Sequence, residues 1–274
     1  MRSSAPPDNL DVPPEHALLV IDMKGYSQIP EAKMAQVRSD LDDILSTVLS
    51  QSELEHPRER DGAYKDTGDG AIFVFPARET GRLVAPLLGH LNAALVRYDR
   101  ERLASSPAIR LRASVHAGPL SLPDHRGDAI NEACRLIDST AARQAMTAAA
   151  GRGVFLAAVL SDTAYRRTVH AGRTPGLDEH HFLTATARVE GKPGFEQLCR
   201  ILVPGVSPEA VSPYLTGGNT TPPSPLPDTV PPEPGEAEGA DECQDAVRQK
   251  AKASGRARVI QVGRDYSTGP RERS

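Results

Sequence analysis

Apolar positions along this chain recur with two periods, and the alternation between them lays out the elements. The run "ALLVID", Ala17 to Asp22, is short, nearly all apolar and of the length of a fully buried strand. In "PEAKMAQVRSDLDDILSTVLSQ" the residues Met34, Val37, Leu41, Ile44, Leu45 and Val48 keep helical spacing, and Pro30 and Glu31 suit a helix start. "GAYKD" and "AIFVFP" read as two strands flanking the turn "TGDG". "GRLVAPLLGHLNAALVRYDRERLA" reads as a second helix with Pro86 near its first turns. "AIRLRASVHAG" reads as a strand with Ile109, Leu111, Ala113 and Val115 on one face. "AINEACRLIDSTAARQAM" predicts a third helix, and "GVFLAAVLSD" and "HFLTATARVEGKPGFEQLCRILV" predict closing strands. The order βαββαβαβ, with further strands, predicts an α+β or α/β sandwich of helices on a mixed β-sheet.

The pattern divides the chain into a proline-spaced leader (1–14), a structured region (15–203), a linker (204–240) and a tail (241–274). From Pro204 the chain is rich in Pro, Gly, Ser and Thr and poor in large apolar residues, so it cannot offset the entropy of ordering itself. The last segment is locally basic with one strand-like run, "ARVIQV". A solvated end is the plain reading of this tail, and a short peptide that docks on a partner is the sharper one. No repeat at solenoid spacing is present.

With 274 residues, 39% hydrophobic, the chain can bury one sizeable core. A formal net charge of -4 gives no global basic field for nucleic acid or acidic membrane, so binding of a small anion has to be local. Three cysteines without CxxC or Cys/His spacing argue against a disulfide framework and a structural zinc site, and fit a reducing cytoplasm. No stretch reads as a signal peptide, and none approaches the roughly 18 apolar residues of a membrane span.

Three stretches carry candidate chemistry, each with a plain structural alternative. "TGDG" between extended runs is a strong hairpin signal that needs no chemistry. Asp22 ends a buried strand, where side chains emerge at a sheet end, but a turn or N-cap aspartate looks the same. In "GDAINEACRLID", Ile130, Ala133, Cys134 and Ile137 form a buried stripe, while Asn131 and Arg135, four apart, share the opposite face that is by default a solvated one. His116 reads as structural and His125 as a solvated loop residue.

Together these stretches resemble the catalytic domain of the class III nucleotidyl cyclases, over about residues 15 to 202. "VIDMKGYS" is similar to the family's first-strand motif, "KDTGDG" to its hairpin motif, "SVHAG" to the strand before its substrate loop, and "GDAINEACRL" to its G-x-x-V-N-x-A-x-R-L helix. The resemblance implies an α+β fold with a ferredoxin-like core and conversion of a nucleoside triphosphate into a 3',5'-cyclic nucleotide and pyrophosphate, a second messenger. It implies two Mg²⁺ or Mn²⁺ ions on Asp22, Asp69 and the backbone carbonyl of Met23. It implies that Asn131 orients the ribose, Arg135 stabilises charge on the reacting phosphate, and Lys65 and Asp124 read the base. In the family one subunit supplies the aspartates and the other the remaining residues, which implies a homodimer with shared sites.

Two departures bear on those roles. Only "PLSLPDHR" separates "VHAG" from "GDAIN", which shortens the loop carrying Asp124, and "VEGKPG" keeps Lys192 for phosphate but places Glu190 where a first lysine is common. The compact architecture is most similar to bacterial stand-alone cyclases, including the pyrimidine cyclases of Pycsar antiphage defence. Lys65 only donates hydrogen bonds and ionised Asp124 only accepts them, which favours adenine or cytosine, hence ATP or CTP. The alternative function is a catalytically silent, cyclase-like domain that binds nucleotide or acts as a scaffold.

Overall fold

The computed structural model describes residues 12–125 and 127–215. Strand β1 (Glu15–Met23) lies inside the sheet, and both its faces are apolar. Ala17, Leu19, Ile21 and Met23 point into one layer of helices, and Leu18 and Val20 into another. β3 (Gly70–Pro76) runs beside β1 and forms, with β2 (Tyr64–Asp66) at the sheet edge, the hairpin around the expected turn, and β4 (Leu111–Pro119) runs along the other side of β1. Both β3 and β4 are antiparallel to β1, and the register sets Asp22 opposite Gly70 on one side and opposite Arg112 on the other. β5 (Leu156–Ser161), β6 (Leu183–Arg188) and β7 (Glu196–Leu202) extend the sheet to the order β2-β3-β1-β4-β5-β7-β6. The pair β4/β5 is parallel and the others are antiparallel, so the sheet is mixed as expected.

Helices α1 (Glu31–Gln51), α2 (Thr80–Val84) and α3 (Leu87–Glu101) bury Leu41, Leu45, Leu83, Leu88 and Leu91 with the Leu19 face of β1. On the opposite face, α4 (Asp128–Asp138) lays Ala129, Ala133 and Ile137 over Leu18 and Val20. α5 (Thr140–Ala150) packs Ala145 and Met146 over β5 and β7, and the short α6 (Asp162–Arg167) adds Ala164 and Tyr165 to the first core. Helices on both faces of a mixed sheet are the α+β arrangement that the pattern predicts.

Three expected boundaries shift, each for a local reason. The second helix breaks at Ala85, which is extended (φ -141°, ψ 119°) because the residue before a proline is driven out of the helical region and Pro86 brings no N–H. The third helix breaks at Ser139, also extended, whose Oγ accepts the Ala142 N–H at 3.2 Å and so starts α5. The region expected as linker from Pro204 begins instead with helix α7 (Pro208–Leu215), whose Val211 is buried with α5. The rest of that linker, the tail and most of the leader lie outside the described residues. Among the described residues no helix is long and apolar enough to cross a membrane.

Gly70 marks a close approach of β3 to β1, because a Cβ there would overlap the Ile21 carbonyl. Gly70→Ala should therefore cost about 1–3 kcal/mol, the usual penalty for overfilling a packed position. Urea unfolding measures it, and an unchanged midpoint would show that the strands have room to spare.

Candidate functional site

The expected turn is fastened to the end of β1 by backbone. Asp66 Oδ1 accepts the Gly68 N–H at 2.7 Å, and Gly68 takes the left-handed conformation (φ 88°) that closes the turn. The Met23 N–H then donates to the Asp69 carbonyl at 2.9 Å. From α1, Arg38 donates through Nη1 to the Gly70 carbonyl at 2.7 Å and through Nη2 to Asp66, Asp42 and the Tyr64 hydroxyl at 3.1–3.2 Å. A largely buried guanidinium thus pins the hairpin that carries Asp69.

These restraints bring the two expected aspartates together. Burial raises the pKa of the Asp69 carboxyl, and the charge of Asp22, within hydrogen-bonding reach, raises it further, while Arg112 acts in the opposite direction. Arg112 belongs to Asp22: its Nε and Nη2 both donate to Oδ2, at 2.9 and 2.5 Å, and its Nη1 donates to the Ile137 carbonyl of α4 at 3.3 Å. This guanidinium was not singled out from the sequence, although the alternation of β4 sets it on the face opposite Leu111. Lys24 follows on β1, and its ammonium pKa is lowered by burial and then by the charges of Arg110 and Arg112.

A second group gathers around α4. Asn131 is exposed there, and Arg135 lies over the Phe195 ring, 5.5 Å from its centroid. Between them, the Cys134 thiol has its pKa raised chiefly by burial, with Lys65 and Lys192 both pulling it down. Two exposed lysines far apart in sequence therefore act on one point of α4. Lys192 sits in the turn between β6 and β7, where its N–H donates to the Val189 carbonyl at 3.1 Å. Asp124 is exposed on the loop before α4. His125 beside it is half-buried and bonded to the Gly62 carbonyl, so it staples this loop to the approach to β2 and is not the solvated residue expected.

His116 is buried, with Nε2 at 3.4 Å from Glu132 Oε2, and burial pushes its pKa down to about 4, so it is neutral and structural. Among the described residues, no three His, Cys, Asp or Glu side chains converge as a metal cage. The two paired carboxylates are hard oxygen donors whose repulsion a shared proton or a cation would relieve. A cavity of about 540 Å³, lined by Val84, His90, Leu177 and Val203 among others, contains none of the expected site residues.

No family model matches the chain, and no curated protein matches it. Solved structures similar to it include the catalytic core of a rhodopsin-guanylyl cyclase with converted specificity in complex with ATPalphaS. It is 15% identical over 70% of this chain and 97% of that one, with a TM-score of 0.45. The guanylyl cyclase domain of the RhoGC fusion protein from the aquatic fungus Blastocladiella emersonii, in a dimeric form, is 12% identical over 69% and 96%, with a TM-score of 0.45. A bacterial light-regulated adenylyl cyclase is 14% identical over 73% and 98%, with a TM-score of 0.44. Likeness at this level does not assign the chain to their family.

The Asp22–Asp69 repulsion has a measurable sign. A carboxyl with a raised folded-state pKa costs nothing while protonated, and its penalty grows as pH rises through the carboxylate range. Asp69→Asn should raise the Tm of the metal-free protein at neutral pH, by the equivalent of about 0.5 kcal/mol for this part-exposed pair. The gain should disappear as pH falls through the carboxylate range and the Asp69 carboxyl takes up its proton. A Tm that is equal or lower at neutral pH would mean the two groups do not repel.

Proposed function

We propose that this chain is a nucleotidyl cyclase that converts a nucleoside triphosphate into a 3',5'-cyclic nucleotide and pyrophosphate. The observation that carries this reading is the pairing of Asp22 with Asp69, two carboxylates from separate elements held together against their own repulsion. Such a pair suits Mg²⁺ or Mn²⁺, which are held by one or two carboxylates together with substrate phosphates and water. Arg112 engages only Oδ2 of Asp22, so the other oxygen is not taken by the guanidinium. The Met23 carbonyl would add a third oxygen. Bound divalent ions would acidify the ribose 3'-hydroxyl and neutralise the departing pyrophosphate.

The remaining roles fall to the group around α4. Asn131 would orient the ribose, and Arg135 would place a fixed positive charge beside the reacting phosphate. Lys192 would hold phosphate oxygens. Lys65 and Asp124 would read the base, and the His125–Gly62 bond supports this by tying the Asp124 loop to the approach to β2. In one chain the guanidinium at the aspartates is Arg112, whereas Arg135 lies on Phe195. The aspartates of one copy and the α4 group of another would complete each site, which makes the working form a homodimer.

Incubating the protein with each ribonucleoside triphosphate and Mn²⁺, and identifying products by mass, tests the reading. A cyclic nucleotide and pyrophosphate are expected, and Asp69→Asn should abolish both. Nucleotide binding without product would identify a silent domain instead. In competition, ATP or CTP should exceed GTP or UTP by at least about tenfold, because the latter two reverse the donor and acceptor pattern that Lys65 and Asp124 require. A preference for GTP or UTP would remove the base-reading assignment while leaving the aspartates in place.

Subunit sharing has its own test. Asp22→Ala and Arg135→Ala should each be inactive alone, and mixing them should restore part of the activity, since a mixed dimer retains one intact site. No recovery in mixed dimers verified by mass would place each whole site within one chain.

A further inference from the structure

The cavity of about 540 Å³ is walled by three separate stretches of chain: the break between α2 and α3, the loop ahead of β6, and the connection from β7 to α7. Val84, Leu177, Val203 and Val206 make its walls apolar, and among the described residues neither a lysine nor an arginine lines it. Apolar walls with a few polar groups, at this volume, suit one small organic molecule.

Gly89, in the first turn of α3, also lines this space. Glycine weakens a helix relative to a residue with a side chain. Here neither packing nor backbone conformation calls for it, because the backbone is helical and a Cβ at Gly89 would meet no atom within 4 Å. The space beside it is kept clear at some cost to α3.

The polar groups in the walls are chiefly acceptors. The buried Ser52, just past α1, donates its hydroxyl to the Val48 carbonyl at 2.7 Å, so toward His90 Nδ1, 3.0 Å away, it can only accept. Nδ1 therefore carries the hydrogen, and Nε2 of the neutral ring is left with a lone pair. Glu209 adds a carboxylate, whose pKa is held down by its own backbone N–H and by the Ser207 hydroxyl. His180 and His181 stand beside Asp178, which accepts the His180 backbone N–H at 3.0 Å and lies 2.8 Å from His181 Nδ1. A positive charge on the His181 ring is thus balanced.

We propose that this cavity binds a small aromatic amine, its ring against the apolar walls and its N–H groups donated to His90 Nε2 and the Glu209 carboxylate. Pro86, Pro175 and the imidazoles add ring faces against which a flat ligand packs. An anion such as a nucleotide would meet a carboxylate and no lysine or arginine to offset it. The site contains none of the residues assigned to the cyclase reaction and does not depend on that reading.

Calorimetric titration of the full chain with tryptamine, indole and indole-3-acetate tests the proposal, since the three carry one ring with a positive, no and a negative charge. Tryptamine should bind, indole should bind about tenfold more weakly for want of a charged hydrogen bond, and indole-3-acetate should be weakest. Gly89→Phe should abolish tryptamine binding by filling the cavity, with Tm unchanged or higher because phenylalanine favours a helix more than glycine does. Glu209→Gln, at an exposed position, should lower tryptamine affinity to about that of indole. No tryptamine binding at millimolar concentration, or wild-type affinity in a folded Gly89→Phe, would overturn the site. Indole-3-acetate binding as tightly as tryptamine, or an unchanged tryptamine affinity in Glu209→Gln, would overturn the amine as its ligand.

Discussion

Two carboxylates that repel each other, Asp22 and Asp69, set the demands on the end of this sheet. A strand end and a hairpin turn would separate under that repulsion if only side chains joined them. Backbone holds them instead: the Met23 N–H to Asp69 carbonyl bond spans the two elements, and Gly70 lets β3 lie against the Ile21 carbonyl without a Cβ between them. Arg38 adds a brace from α1 to the Gly70 carbonyl, and Arg112 draws off part of the charge of Asp22. Each of these groups contributes to geometry in a place where electrostatics alone would favour opening.

The platform for this is the apolar body of β1, covered on both faces. With Leu19 and Ile21 in one core and Leu18 and Val20 in the other, the strand cannot shift register by one residue without exchanging its two cores. Asp22 is therefore fixed where it leaves the sheet. Rigid support of this kind is what a site built from a strand end and a tight turn requires.

What could be read in the sequence follows from which interactions are local. The period of α1, the continuous run of β1 and the turn chemistry of "TGDG" are properties of neighbouring residues, so the elements and both aspartates were legible. Pro86 and Ser139 carried legible stop signals, but each sat inside a longer apolar period that outweighed it. Helix α7 was hidden because proline and glycine dominate the composition around it, while the surface that its Val211, Tyr214 and Leu215 pack on is distant in sequence. Arg112 and Arg38 were not legible, since their contacts depend on the β1/β4 register and on how α1 crosses the hairpin.

Charge is ordered along the sheet end in a way that composition conceals. Moving from the hairpin toward β4, the side chains run from Asp69 to Asp22 to Arg112, and one step further along the strands Lys24 meets Arg110. The Asp22–Asp69 zone and the Lys24–Arg110 zone adjoin, with Asp22 and Arg112 paired between them and Asp66 of the hairpin paired with Arg38. A fold under selection for stability alone would interleave these signs, because like charges in contact cost energy and opposite ones gain little at a surface. The net charge of the whole chain, close to neutral and slightly negative, cancels both zones and shows neither.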